Sequence, residues 1–170
     1  MNDENYFKKT KNPKPCRKNL GIKRINMPQI NTPSDYKKLK DIVKNKLKLK
    51  SEEKNIIVRD NIYASQKEIN ISRAEDIIQK IITPQKKTRR KSKKRIPVIL
   101  LKDKKNFLVV DGHHRWLAYY LLNNKNKNKH KNKTNKSYLH YKMPSYIIHI
   151  EDITTGFETL NNILLKDKHI

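Results

Sequence analysis

The feature that most constrains this chain is a strand-turn-helix pattern in its middle. Residues 96–101 and 106–110 are apolar runs separated by four polar residues, which is typical of a β-hairpin. Residues 111–115 read Asp-Gly-His-His-Arg, and residues 116–122 are then apolar on nearly all sides, as in a buried helix. A buried hairpin that leads through a polar turn into a buried helix predicts an α/β (α+β) fold.

Three further patterns predict helices outside this unit. Pro33-Ser34-Asp35 offers a helix start, and apolar residues at helical spacing continue an amphipathic helix to about Lys50. Ser72-Arg73-Ala74-Glu75 has the spacing of a capping box, and the helix that it starts is expected to end at Thr83-Pro84. A final helix is predicted by an apolar stripe formed by Phe157, Leu160, Ile163 and Leu164.

Short β-branched segments predict the rest of the sheet. Residues 56–58 and 62–64 are strand pieces, and residues 145–150 form a third apolar segment of strand type. The segment 145–150, together with the hairpin at 96–101 and 106–110, predicts one mixed sheet with helices packed on it.

Length and charge limit how much of the chain can be core. The 170 residues are 34% charged and 35% hydrophobic with a net charge of +25, so we expect one domain with solvated appendages. The predicted order is a disordered basic arm at 1–20, a docking segment and amphipathic helix at 21–55, the main domain at 56–150 and a C-terminal helix at 151–170. Within the main domain, residues 123–136 are almost wholly Lys and Asn and are expected to be a low-complexity insertion without core residues.

The cysteine content and the lack of long apolar stretches bear on the compartment. Cys16 is the single cysteine, which excludes a disulfide framework and indicates a reducing compartment. The sequence has no run typical of a signal peptide and no stretch near the roughly 20 apolar residues that a membrane span needs. We therefore expect an intracellular protein without a membrane partner, in the cytoplasm, the nucleus or a virion, and the sequence leaves its oligomeric state open.

Two explanations of the positive charge stay open. The chain has 33 Lys, 19 Asn and 21 Ile against 3 Ala and 8 Arg, the pattern that AT-rich codons produce. The alternative is binding of DNA or RNA, because Lys and Arg neutralise phosphates. AT-rich codons favour Lys, so arginines are the more informative basic residues. The candidate nucleic-acid-binding residues lie in the segment 85–95 and are Lys86, Lys87, Arg89, Arg90, Lys91, Lys93, Lys94 and Arg95.

The turn after the hairpin has the features of a phosphate site. Gly112 lets the backbone approach an anion, and the first free N–H groups of the next helix point toward it. Arg115 can donate two hydrogen bonds to phosphate oxygens, and His113 and His114 are further donors. Two alternatives stay open: Asp111 merely caps the helix beside structural side chains, or Asp111, His113 and His114 bind zinc.

The order of these motifs resembles the N-terminal domain of ParB and sulfiredoxin relatives. It consists of Gln66-x-Glu68, a capped helix, a basic loop, a strand beginning Ile96-Pro97-Val98, a hairpin and Asp-Gly-His-His-Arg-Trp-x-Ala. In chromosome-partitioning ParB the matching turn binds the triphosphate of CTP, and in sulfiredoxin it holds the catalytic cysteine and ATP. The Asp-Gly-His-x-Arg form is similar to that of free-serine kinases and of viral or phage ParB-like proteins often labelled nucleases.

The resemblance implies a nucleotide-binding protein. His113 stands where sulfiredoxin has its cysteine, so sulfinic-acid reduction is excluded because no thiol can attack. The leading hypothesis is a phosphotransferase or phosphohydrolase in which residues 112–115 hold the phosphates of ATP, ADP or CTP with Mg²⁺. Glu68 is the first candidate for the carboxylate that orients the attacking oxygen, and Asp111 is the second. The alternative is a nucleic-acid-binding or nuclease-like protein without kinase activity.

Overall fold

The fold consists of four helices and five strands within the described part of the chain. A computed structural model describes residues 22–58, 61–66, 69–83, 95–104, 106–129 and 140–166. The helices are α1 (Pro33–Asp41), α2 (Ile71–Ile82), α3 (His113–Lys129) and α4 (Ile153–Lys166). The strands are β1 (Ser51–Ile57), β2 (Ile62–Ala64), β3 (Val98–Lys102), β4 (Phe107–Asp111) and β5 (Lys142–His149). None of the described helices is both long enough and apolar enough to cross a membrane.

The strands form one mixed sheet in the order β1-β5-β3-β4-β2. β3 runs antiparallel to β4 and parallel to β5, and β2 lies parallel to β4 at one edge. β1 pairs antiparallel with β5 at the other edge. The predicted mixed sheet with packed helices is confirmed, and the strands predicted at 96–101, 106–110 and 145–150 lie side by side at its centre.

Both faces of the sheet are covered, which explains the continuous apolar run of β3. Val98 and Leu100 pack in the layer formed by α2 and α3, while Ile99 and Leu101 pack in the opposite layer. Successive side chains of a strand point to opposite faces, so a strand covered on both sides has no polar alternation. Trp116 of α3 is fully buried in the first layer.

The second layer contains α1, α4 and an N-terminal segment (residues 22–31). Met27 and Ile30 of this segment are buried together with Leu39 of α1 and Phe157 of α4. The backbone of Met27 is extended, with φ −117° and ψ 150°, as a residue before proline favours. The N-terminal segment therefore docks on the domain and becomes one wall of the site described below.

Two predicted element boundaries at the start of the sheet are wrong. The first helix does not reach Lys50, because α1 ends at Asp41 and continues only as a π-helical turn over Ile42–Lys46. Lys48 then has a φ of 52°, which turns the chain toward the sheet. β1 begins at Ser51 and not at residue 56. Its exposed polar residues gave no apolar signal, because pairing with β5 and not burial forms this edge strand.

Two predicted features of the other helices also need correction. The N-cap of α2 is Asn70, whose side chain accepts a hydrogen bond from the Arg73 N–H at 3.2 Å, so the capping box predicted at Ser72 is wrong. Its end at Ile82, before Thr83-Pro84, is confirmed. The helix α3 continues to Lys129, past the predicted start of the low-complexity insertion. Asn123 is only 2% exposed and therefore belongs to the core.

Candidate functional site

The Asp111–Arg115 turn lies where β4 ends and α3 begins. Gly112 has a φ of +90°, a conformation that a residue with a Cβ rarely adopts. A Cβ on Gly112 would lie 2.8 Å from Nη2 of Arg115 and 3.2 Å from Cγ2 of Val98. Glycine is therefore required both by the backbone conformation and by the side chain folded over it.

Arg115 lies in the first turn of α3, as predicted, and its guanidinium is bound to the protein. Nη1 donates to the carbonyl of Ile96, and Nη2 donates to the carbonyl of Pro97 at 3.4 Å. Burial lowers the pKa of Arg115, and the nearby carboxylate of Asp111 opposes that shift. In this arrangement the guanidinium fastens the residues before β3 to the turn, whereas the sequence predicted a fork to phosphate.

His113 is buried and accepts a backbone hydrogen bond. Its Nε2 accepts from the N–H of Gln66 at 3.3 Å. The hydroxyl of Ser65 lies 3.2 Å from the same nitrogen and donates to the carbonyl of Val109 at 2.5 Å. Burial lowers the pKa of His113 to about 3. The side chain thus ties the start of α3 to the end of β2.

His114 makes the equivalent link to α2. Its Nε2 accepts from the N–H of Asn70, the N-cap of α2, at 3.2 Å. Burial and, to a smaller extent, the positive charges of Arg24 and Arg73 lower the pKa of His114 to about 4. Both histidines are therefore neutral at pH 7. Each uses Nε2 as an acceptor, so this nitrogen is not the phosphate donor that the sequence predicted.

Asp111 is the carboxylate of the turn. Burial raises its pKa, while the charge of Arg115 and hydrogen bonds from the N–H groups of Gly112 and Ile30 favour the ionised form. Arg24 adds a further positive charge near it. The carboxyl group therefore links the turn to the N-terminal segment, and its proton affinity is higher than that of an ordinary aspartate.

A pocket of about 400 Å³ opens beside the turn. All five turn residues line it, as do Gln66, Ile77 and the Arg95-Ile96 pair before β3. The N-terminal segment supplies the remaining wall, through Arg24, Met27, Pro28, Gln29, Ile30 and Asn31. The sequence-predicted residues Asp111 to Arg115 and Arg95 are therefore brought together in one pocket.

Arg24 is the residue of this pocket that the sequence patterns missed. It is exposed in a short 3₁₀ turn (Arg24–Asn26), and its charge acts on Asp111 and on both histidines. The residue type of Arg24 could have identified it as a candidate site residue, because arginine is scarce in a chain whose codons favour lysine. The described arginines number four, and Arg24, Arg95 and Arg115 line this pocket while Arg73 acts on His114.

Several predicted site residues fall outside the described part of the chain. These are Glu68 and the basic residues of 84–94, so the predicted carboxylate and most of the predicted nucleic-acid-binding segment stay predictions. Among the described residues, no group of three or more His, Cys, Asp and Glu side chains could hold a metal ion.

Comparison of the chain with protein-family models, with curated proteins and with solved structures finds no match. The resemblance to ParB and sulfiredoxin relatives therefore rests on the sequence motifs alone and stays a prediction.

Proposed function

We propose that this protein binds a nucleoside di- or triphosphate, such as ATP, ADP or CTP, in the pocket beside the Asp111–Arg115 turn. The observation that carries the proposal is the lining, in which the described residues include three arginines and no lysine. Lysines outnumber arginines 33 to 8 in the chain, so codon drift alone would place lysines there. The planar fork of arginine matches the geometry of phosphate, which makes it the side chain that a phosphate site favours.

The backbone of the turn supports the same ligand charge. The first N–H groups of a helix lack partners within it, and the helix dipole places positive potential at that end. Gly112 adds no Cβ at this point, so an anion can approach the backbone closely. Among the described lining residues, three arginines and the carboxylate of Asp111 together give a net positive charge.

The rest of the lining suits a nucleoside. Met27, Pro28, Ile30, Ile77 and Ile96 give apolar surface, and Gln29, Asn31 and Gln66 give amide groups. Apolar surface packs against a base, and an amide offers both a donor and an acceptor to its edge. The volume of about 400 Å³ lies within the range of known ligand pockets, about 300–1,000 Å³.

The proposal includes a phosphotransferase or phosphohydrolase activity of the ParB/sulfiredoxin type. Asp111 is the carboxylate among the described residues that line the pocket, and Mg²⁺ is commonly bound through one or two carboxylates together with substrate phosphates. A bound Mg²⁺ would neutralise charge on the transferring phosphoryl group. The raised pKa of Asp111 also suits a group that accepts a proton from an attacking hydroxyl. Glu68 is close in sequence to the pocket residue Gln66 and stays the first candidate for this role.

A thermal-shift panel of ATP, ADP, CTP and GTP with Mg²⁺ tests the proposal. A ligand that binds only the folded state at 100 times its Kd adds about 2.7 kcal/mol of stability. For a chain of this length we expect the melting temperature to rise by about 5–10 °C with the preferred nucleotide. The rise should shrink in Arg95→Gln and persist in Lys54→Gln, a matched loss of one positive charge on the exposed edge strand β1.

No shift with any nucleotide at millimolar concentration would refute nucleotide binding. The alternative function, binding of DNA or RNA through the segment 85–95, is separated by adding a short oligonucleotide without a nucleotide. If this alternative holds, the oligonucleotide should raise the melting temperature, and the rise should fall steeply with added salt, because phosphate contacts release counterions.

A further inference from the structure

Resting on the proposed phosphate site, we infer that Arg24 and Arg95 are the side chains that contact the ligand's phosphate groups, and that Arg115 is a positioning residue. The Asp-Gly-His-His-Arg motif by itself assigns the phosphate contact to Arg115. The geometry of the pocket assigns it to two arginines outside the motif.

Arg115 is already bound to the protein, with two of its five N–H donors in use. Its two terminal nitrogens donate to the carbonyls of Ile96 and Pro97, and Nη2 lies over Gly112. A guanidinium that turned toward a ligand would leave these two carbonyls without their donors, and an unpaired buried carbonyl is costly. Ile96 directly follows Arg95, so the bonds from Arg115 fix the backbone that carries Arg95 at the rim of the pocket.

Arg24 has the opposite character. Its side chain is exposed, it lines the pocket, and no hydrogen bond or ion pair with another described residue holds its guanidinium. It lines the same pocket as the turn, and its charge acts on Asp111, His113 and His114. The described residues therefore leave its donors available to an anion at the start of α3.

The backbone around Arg24 is held firmly although its side chain is free. The N–H of Ile22 donates to the carbonyl of Ser65 at 3.1 Å, and Nδ2 of Asn161 donates to the carbonyl of Asn26 at 3.0 Å. Met27 is buried just beyond. An arginine on an anchored backbone loses less freedom on binding than one on a loose arm, so its contact contributes more affinity.

Arg95 is the second arginine of the pair. It is exposed, it lines the pocket, and its charge acts on Arg115 and on the phenol of Tyr119. Arg24 belongs to the N-terminal segment, whereas Arg95 precedes β3. A ligand that bridges them would join these two parts of the chain above Gly112.

Isothermal titration calorimetry of the full chain with inorganic pyrophosphate, and separately with ATP and CTP, tests this assignment. We expect Arg24→Ala to weaken pyrophosphate binding about tenfold or more, and Arg24→Lys to weaken it less, because lysine keeps the charge without the fork. Lys23→Ala is the matched control, since it removes an exposed positive charge one residue away and should change affinity less than about twofold.

A double-mutant cycle tests the positioning role of Arg115. Arg115→Lys should weaken binding in the wild-type background but add little to Arg95→Ala, because its effect on the ligand runs through Arg95. An equal loss in both backgrounds would mean that Arg115 contacts the phosphate itself, which would overturn the inference.

The outcomes separate this inference from the proposed function. If pyrophosphate binds in a way that depends on Arg24, and neither ATP nor CTP binds, the inference is supported and the proposed nucleotide binding is refuted. Nucleotide binding that survives Arg24→Ala unchanged supports the proposed function and refutes the inference. The absence of both pyrophosphate and nucleotide binding refutes both.

Discussion

Replacing Asn123 with alanine should destabilise the fold, although Asn123 begins a stretch of Asn and Lys that has the composition of a solvated insertion. Its side chain is 2% exposed and clamps the start of β5 to α3. Nδ2 donates to the carbonyl of Tyr141 at 3.2 Å, and the N–H of Tyr141 donates to Oδ1 at 2.9 Å. Alanine would leave both backbone groups of Tyr141 without partners.

The size of the effect follows from these two bonds. A buried backbone group that loses its partner costs about 1–3 kcal/mol. Tyr141 is partly exposed, so the lower half of that range applies to each group, which gives about 2–4 kcal/mol for the pair. Alanine is a better helix former than asparagine, which adds about 0.6 kcal/mol to the stability of the variant. The net expected loss is about 1.5–3.5 kcal/mol.

Urea unfolding followed by circular dichroism measures this loss. With an m-value of about 2 kcal/mol/M, the midpoint should fall by about 0.8–1.8 M. Asn124→Ala is the matched control: Asn124 is the next residue of α3, and its side chain makes no hydrogen bond to another described residue. That variant should be neutral or slightly stabilised. Equal midpoints for the two variants would refute the clamp.

Two further predictions concern the turn itself. Gly112→Ala should lower the stability by about 1–3 kcal/mol, because φ is +90° there and the Cβ would meet Arg115, and an unchanged melting temperature would contradict this. The neutral ring of His113, with its pKa lowered from 6.5 to about 3, should make stability depend on pH. Its contribution is complete above pH 6.5. It declines by up to about 1.4 kcal/mol per pH unit as pH falls from 6.5 toward 3, since only the unfolded ring takes up a proton. Unfolding midpoints at pH 7, 6 and 5 should fall less steeply in His113→Gln, and parallel slopes would refute the assignment.

The central hairpin and the helix after it could be predicted because their signals are local. Buried strands and a buried helix leave continuous apolar runs, and a polar turn must separate them. β3, β4 and the start of α3 accordingly lie where the sequence indicated, within a residue or two. The glycine between β4 and α3 was also identifiable, since no other residue takes its backbone conformation without strain.

Element ends were predicted less well where two local signals compete. Asn70 and Ser72 are both good N-cap residues, and the structure uses Asn70, whose N–H also donates to His114 in another helix. The composition around Asn123 gave a wrong prediction of an exposed insertion, again because the deciding contact forms only in the tertiary structure. A polar residue in a polar stretch gives no sign of burial until its partner, Tyr141, is brought to it by the fold.

The sequence by itself determined that Asp111 to Arg115 form a turn at the start of a helix, with residue types suited to an anion. Only the tertiary structure decided how those side chains are used. His113 meets the backbone of Gln66, Arg115 meets Ile96, and Arg24 comes to the same pocket from the N-terminal segment. These partners are far apart along the chain. Their pairing is fixed by the order of strands in the sheet and by the layer that covers it, and neither leaves a trace in a local residue pattern.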